Sequence, residues 1–343
     1  MIDELRDYLD ELVSADAFSG AVLVAQHGQP VFTGAYGLAS RAFHAPNRLD
    51  TKFNLGSMNK MFTAVAIAQL AEAGRLAFSD TIAVHLPDYP RADVAQQVTI
   101  HHLLTHSSGL GSYWNERFEA TRDRIRTVHD YLDLFASDPL HFEPGERCEY
   151  SNAGYIVLGA IIERVTGQSY DAYVQEHLYQ PAGMQDTDAS PLDRDIPNRA
   201  TGYTHMSPDG EPVPTEWWNN LLALPARGGP GGGGYSTVED LLRFARALLE
   251  NKLLSPAMTA TVLEAKVTLR TRAFSQYGYG FGAEHLGSQG QIVVVGHTGG
   301  APGINSQLDI YPGMNITVVV LANYDPPAAA QVAQKVRTLI VSI

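Results

Sequence analysis

Apolar and polar positions change rhythm several times along the chain. The opening stretch, MIDELRDYLDELV, reads as an acidic amphipathic helix. GAVLVAQHGQPVFTGAYGLAS (20–40) then sets two β-rich runs around the turn QHGQP, the pattern of a hairpin. After the strand-like TKFNL, the run MFTAVAIAQLAEAG is helical and stops at Gly74. From about 80 to 224 the pattern is mainly helical with long connections. TIHHLLTHSSGL (99–110) holds a short helix, NAGYIVLGAIIERVTG (152–167) a buried helix ending at Gly167, and SYDAYVQEHLYQPAGM (169–184) a helix capped by Ser169. GGPGGGGYSTVEDLLRFARALLE (228–250) is a glycine-rich turn feeding a helix, with Ser236 and Glu239 spaced as a capping box. The β rhythm then returns in YGYGFGAEHL (277–286), QIVVVGHTG (291–299), INSQLDIYP (304–312) and NITVVVLAN (315–323). Tight turns between these runs suit antiparallel pairing, and PAAAQVAQKVRTLIVSI closes the chain as a helix.

Strands at both chain ends with helices between them predict one sheet completed by the C-terminus and a helical insertion. The expected class is α/β (α+β): residues 1–79 and 225–343 form the sheet domain, 80–224 a mainly helical domain, and the site lies between them. The glycine-rich turn matches neither a P-loop nor a dinucleotide fingerprint, so it reads as a structural turn.

Composition narrows the function classes. With 45 % hydrophobic and 18 % charged residues among 343, the chain is an ordinary globular protein. Its net charge of −13 argues against a nucleic-acid partner, which needs a basic footprint. No apolar run has the length of a membrane span, so no membrane partner is expected. The single cysteine, Cys148, excludes an intramolecular disulfide framework and a Cys-based zinc cluster. The N-terminal stretch lacks the features of a secretion signal. A cytoplasmic location is expected, with a periplasmic or secreted one open if a leader has been removed.

Three short stretches hold candidate chemistry. In GSMNK (56–60), Ser57 and Lys60 share one face at a helix start. A serine hydroxyl needs a base, and a lysine serves if burial or neighbouring cations lower its pKa. In EYSNAGY (149–155), Tyr150 could relay protons and Asn152 could bind a substrate carbonyl; alternatively Tyr150 packs at a helix entrance and Asn152 caps the helix. In GHTGGAPG (296–303), a glycine-rich strand end could free N–H groups as oxyanion donors, or be a plain turn.

Together, in this order, the three stretches resemble the S-x-x-K, Y-x-N and K-T-G motifs of the penicillin-recognising serine hydrolases. LLTHSSGL, PGERCEYSNAGYIVLGAIIERVTGQSY and GYSTVEDLLRFARALL are similar to the branch with class C β-lactamases, family VIII carboxylesterases, DD-peptidases and D-aminopeptidases. The resemblance spans about residues 18 to 325. It implies an antiparallel sheet flanked by helices with a helical domain, and an acyl-enzyme mechanism without cofactor or metal. Ser57 would be the nucleophile, Lys60 its proton partner, and Tyr150 would share the base role and protonate the leaving group. Asn152, His297, Thr298, Gly299 and Gly300 would bind substrate, and the N–H groups of Ser57 and Gly300 would form the oxyanion hole.

Where these relatives usually carry lysine, this chain has His297, a weaker anchor for a substrate carboxylate. The expected activity is therefore hydrolysis of short-chain esters or related small acyl substrates, with weak or no β-lactam turnover. Alternatives are a β-lactamase, DD-peptidase or D-aminopeptidase, or a penicillin-binding-like sensor that acylates without turnover. His102 and His106, four residues apart, lack the glutamate of a zinc helix and read as structural. Trp114, Trp217 and Trp218, with Tyr113, are candidates to wall the acyl pocket, and homo-oligomerisation is left open.

Overall fold

The computed structural model describes residues 2–208, 210–271 and 273–342. Helix α1 (Ile2–Ser14) leads into the hairpin β1 (Gly20–Gln26) and β2 (Gln29–Tyr36). Helices α2 (Asn59–Glu72), α3 (Ile100–Leu104), α4 (Asn152–Thr166) and α5 (Val238–Leu249) follow among shorter ones. The chain then lays down β3 (Val267–Thr268), β4 (Gln276–Tyr277), β5 (Gly282–Leu286), β6 (Ile292–Ala301), β7 (Ile304–Tyr311) and β8 (Ile316–Ala322), and ends in α6 (Ala328–Val341). The strands form one antiparallel sheet in the order β2-β1-β8-β7-β6-β5-β4-β3. The last strand thus joins the N-terminal hairpin to the rest, as the pattern at the two chain ends predicts. The fold is β-lactamase/transpeptidase-like.

Both faces of the sheet are covered, which explains why ITVVVLA is buried throughout and apolar at every position but Thr317. Alternate side chains point to opposite faces. Leu23, Leu308, Ile310, Val319 and Leu321 join the core shared with α2, α4 and α5. Val22, Val24, Val318 and Val320 pack instead beneath α1 and α6, against Leu5, Leu9, Val332 and Val336. Residues 201–203, within the mainly helical stretch, run beside the sheet end: Tyr203 N–H donates to Asn323 O (2.7 Å), just past β8, and Thr201 N–H to Ala39 O (2.9 Å).

The helix ends confirm most of the capping chemistry and move one cap. Gly167 closes α4 in the left-handed conformation at φ 74°, and Ser169 accepts from Ala172 N–H as the next helix begins. At α5 the N-cap is Thr237, not Ser236: Thr237 accepts from Asp240 N–H. Ser236 is in a two-residue strand paired with Phe53, and its hydroxyl meets Thr187 Oγ1 at 2.7 Å. Strand pairing holds Ser236, so the helix starts one residue later.

One ion pair fastens α6 to the sheet. Arg337 Nε donates to Asp309 Oδ2 (2.7 Å) and Nη2 to Asp309 Oδ1 (2.8 Å), with both side chains nearly inaccessible. Removing one partner strands a buried charge. Arg337→Met is expected to lower the unfolding free energy by ~3–5 kcal/mol, read from urea denaturation. Adding Asp309→Leu to that variant should recover part of the loss.

Candidate active site

Ser57 is placed by backbone squeezed between two glycine-rich segments. Phe53–Asn54 pairs with Tyr235–Ser236, and Leu55 N–H donates to Gly234 O (2.7 Å). A 3₁₀ turn, Gly56–Met58, then runs into α2. A Cβ on Gly299 would lie 2.0 Å from Leu55 O, and one on Gly232 would lie 3.0 Å from Gly56 O. Side chains at these positions would push the Ser57 turn out of place. Ser306 Oγ donates to Leu55 O (2.7 Å) and anchors the turn to β7.

Lys60, one helical turn on, is completely buried. Its Nζ donates to Asn152 Oδ1 (2.6 Å) and Gly231 O (2.6 Å), and it forms no ion pair among the described residues. The rings of Tyr150 and Tyr155 lie 4.9 and 5.4 Å from Nζ. Burial holds the amine well below the ordinary lysine range. A neutral amine has two N–H groups and one lone pair. Asn152 and Gly231 use the N–H groups, which leaves the lone pair to accept a proton.

Asn152 is free to do this because it does not cap its helix. Ser151 is the N-cap of α4, accepting from Gly154 N–H, so Asn152 is the first helical residue with its amide turned to Lys60. Tyr150 precedes it outside any helix or strand, 38 % exposed. Burial pushes its phenol above the ordinary tyrosine range, and hydrogen bonding with Ser57 partly opposes this. Because over a third of the residue faces the cleft, water moderates the effect relative to the sealed Tyr155.

The third motif forms the opposite wall. β5 pairs with β6 only as far as Gly296, so beyond that point the β5-facing edge of β6 carries no strand. His297, Thr298, Gly299 and Gly300 continue to pair with β7 on the other edge. A Cβ on Gly56 would lie 3.2 Å from Gly300 N, which puts that backbone beside the Ser57 turn. His297 departs from the expected weak anchor. Its Nδ1 meets Thr298 O at 2.6 Å, so Nδ1 is protonated and Nε2 accepts from Tyr277 Oη (2.9 Å). Burial, with Lys60 nearby, pushes its pKa down to about 3. The ring is therefore neutral at pH 7 and both nitrogens are spent within the protein.

Two cavities meet at Ser57. One, about 290 Å³, is walled by Tyr113, Trp114, Tyr131, Leu192, Leu224 and Ile304, with Asn152 and Gly300 at its base. The other, about 340 Å³, is lined by Tyr150, Arg270, Phe274, Tyr277, His297 and Thr298. Among the described residues neither lining contains an aspartate or glutamate. Of the candidate aromatic residues, Tyr113 and Trp114 do wall a cavity, while Trp217 packs on His205 and Tyr324, and Trp218 lies in a short strand. Sequence reasoning missed Arg270, which no motif marks, and the part played by His106. His102 and His106 do not act as a pair: His102 Nδ1 accepts from Thr99 N–H, whereas the His106 ring stacks on Tyr150. Among the described residues no group of three or more His, Cys, Asp or Glu could hold a metal ion.

The fold and the match to known proteins define a serine hydrolase of the β-lactamase-related class. The Beta-lactamase family model matches residues 5–341, and the chain belongs to that family. It is 32 % identical over 330 residues to penicillin-binding protein 4* of Bacillus subtilis, covering 93 % of this chain and 71 % of that protein. It is 34 % identical over 304 residues to esterase EstB of Burkholderia gladioli, covering 80 % and 76 %. A penicillin-binding protein from Bacillus halodurans superimposes with a TM-score of 0.84 at 34 % identity, covering 96 % of this chain and 98 % of that one.

The electrostatics define a pH profile. Lys60 accepts a proton only as the free amine, so kcat/KM should rise with pH through an apparent pKa well below the ordinary lysine value of ~10.4. Loss of the Tyr150 proton should lower activity only above the ordinary tyrosine range of ~10. His297 should contribute no limb near neutrality, so His297→Asn should keep the acid limb of the wild type when kcat/KM is followed across pH. Stability follows the same sign: the unfolded chain holds the Lys60 proton more tightly, so this contribution is lost as pH falls below ~10.4 through the depressed folded value.

Proposed function

We propose that the chain is a serine esterase that works through an acyl-enzyme on esters with a neutral, apolar or aromatic acyl group. The observation that supports this best is the pair of cavities meeting at Ser57, one walled by aromatic and aliphatic side chains and neither lined by a carboxylate. A substrate with a free α-ammonium group would find no counter-charge there, which disfavours an aminopeptidase or amino-acid amidase. A cavity of about 290 Å³ is nearly twice the ~150 Å³ that accommodates benzene, room for a phenylacetyl or medium-chain acyl group.

In this reading Ser57 Oγ attacks the ester carbonyl and gives its proton to Lys60. The carbonyl oxygen, now anionic, takes hydrogen bonds from the N–H groups of Ser57 and Gly300. Tyr150 lines only the second cavity, so the leaving alcohol departs there and takes the phenol proton as the C–O bond breaks. Lys60 returns a proton to Tyr150. Water then repeats the sequence on the acyl-enzyme: it attacks the carbonyl and gives up a proton to Lys60, Ser57 Oγ leaves with the Tyr150 proton, and Lys60 restores that proton to Tyr150. Asn152 orients the Lys60 amine and can meet a polar group of the acyl part.

A second reading has its own support. Arg270 lines the leaving-group cavity and supplies a cation that His297 does not. That favours substrates with an anionic leaving group, including a β-lactam or a peptide with a free carboxylate.

Ser57→Ala is expected to lower turnover of p-nitrophenyl phenylacetate by about 10⁴-fold or more, and wild-type turnover would remove the assignment. Parallel assays on that ester, nitrocefin and D-alanine p-nitroanilide rank the readings, with the ester expected first. Trp114→Ala should cut the preference for phenylacetyl over acetyl esters by roughly tenfold in kcat/KM, with the acetyl rate little changed.

A further inference from the structure

We propose that His106 is a positioning residue that holds the Tyr150 phenol against the leaving group; the proposal rests on the role given to Tyr150 above. His106 follows α3 in the left-handed conformation, at φ 58°, and is 1 % exposed. Its ring also lies against Tyr155 and Tyr277, with centroids 5.2 and 4.7 Å away, but three of its interactions converge on one short segment. Its carbonyl accepts from Glu149 N–H (2.9 Å) and its Nδ1 from Ser151 N–H (3.1 Å). Between those two tethers the imidazole stacks on the Tyr150 ring, with centroids 4.3 Å apart and planes inclined by 30°. The residues before and after Tyr150, and its ring, are thus tied to a single side chain and its backbone.

A core-filling role accounts for this arrangement poorly. With Nδ1 accepting, the proton of the neutral ring is on Nε2, and that buried N–H has no hydrogen-bond partner among the described residues. An apolar residue would fill the space without stranding a donor. What the imidazole supplies is an acceptor for Ser151 and a flat face for Tyr150. Tyr150 has no regular secondary structure to hold it, so its aim depends on these contacts. A proton donor must stand within hydrogen-bond reach of the departing oxygen, and a displacement of ~1 Å can cost ~10²-fold in rate.

The test separates positioning from general support of the fold. Ethyl and p-nitrophenyl phenylacetate form the same acyl-enzyme, so kcat/KM compares acylation with a leaving group that needs a proton and one that does not. His106→Asn tolerates the left-handed backbone and keeps an acceptor but loses the flat ring, and His106→Leu loses both. In each folded variant, kcat/KM for the ethyl ester should fall by about tenfold or more, and for the p-nitrophenyl ester by less than about threefold. Fluorophosphonate labelling of Ser57 should persist, which reports a folded protein with a live nucleophile. If the leucine variant does not fold, the asparagine variant decides. In a Tyr150→Phe background the His106 substitution should add no further dependence on the leaving group. Equal losses on the two esters, a wild-type leaving-group dependence in a folded variant, or undiminished effects in the Tyr150→Phe background would overturn the proposal. A Tyr150→Phe enzyme with wild-type leaving-group dependence would overturn the role of Tyr150 and this proposal with it.

Discussion

Lys60 puts a primary amine where water does not reach, and it forms no ion pair among the described residues. An ammonium ion there would lose its hydration and gain no counter-ion, so the site favours the free base. Much of the surrounding structure answers to that one constraint. The glycine-rich turn supplies a carbonyl from Gly231, and α4 supplies the Asn152 amide as soon as it begins. Two tyrosine faces and two neutral imidazoles complete the enclosure. The same desolvation that depresses the amine raises the Tyr150 phenol, so one environment rather than two dedicated partners separates the two groups, as the proposed base and donor roles require.

Close backbone approach is the second condition. Gly56, Gly232 and Gly299 come from three distant parts of the chain and meet around the Ser57 turn. The run of glycines at 228–234 therefore does no phosphate binding in this account. It lets two loops and a strand end pack at backbone distance, and it backs Lys60 with a carbonyl. The sheet contributes through where its pairing stops: the short β5 leaves one edge at the end of β6 free of a strand, beside the Ser57 turn.

Much of this was legible in the chain because local chemistry suffices for it. The alternating runs, Gly167 and Ser169 as helix stop and start, and the Ser57–Lys60 face each follow from spacing or backbone preference. The motif order then pointed to the family. The failures share a different cause. Ser236 had the right spacing for a cap, but strand pairing with Phe53 claimed it. Trp217 and Trp218 are aromatic residues in an irregular stretch, as Trp114 is, yet only Trp114 reaches the cleft. Arg270 and His106 carry no motif of their own, since their importance comes from what they face.

By itself the sequence determined the main element types, the closure of the sheet by the C-terminal strand, and the candidate set Ser57, Lys60 and Tyr150. Periodicity and residue spacing are properties of neighbours along the chain, so they survive without coordinates. Only the tertiary structure decided the charge states and the shape of the cleft. Burial of Lys60 and His297, the His106 stack on Tyr150, and the two cavities at Ser57 all arise from groups far apart in sequence. Desolvation, which sets those charges, is a property of the packed molecule and is written in no short stretch.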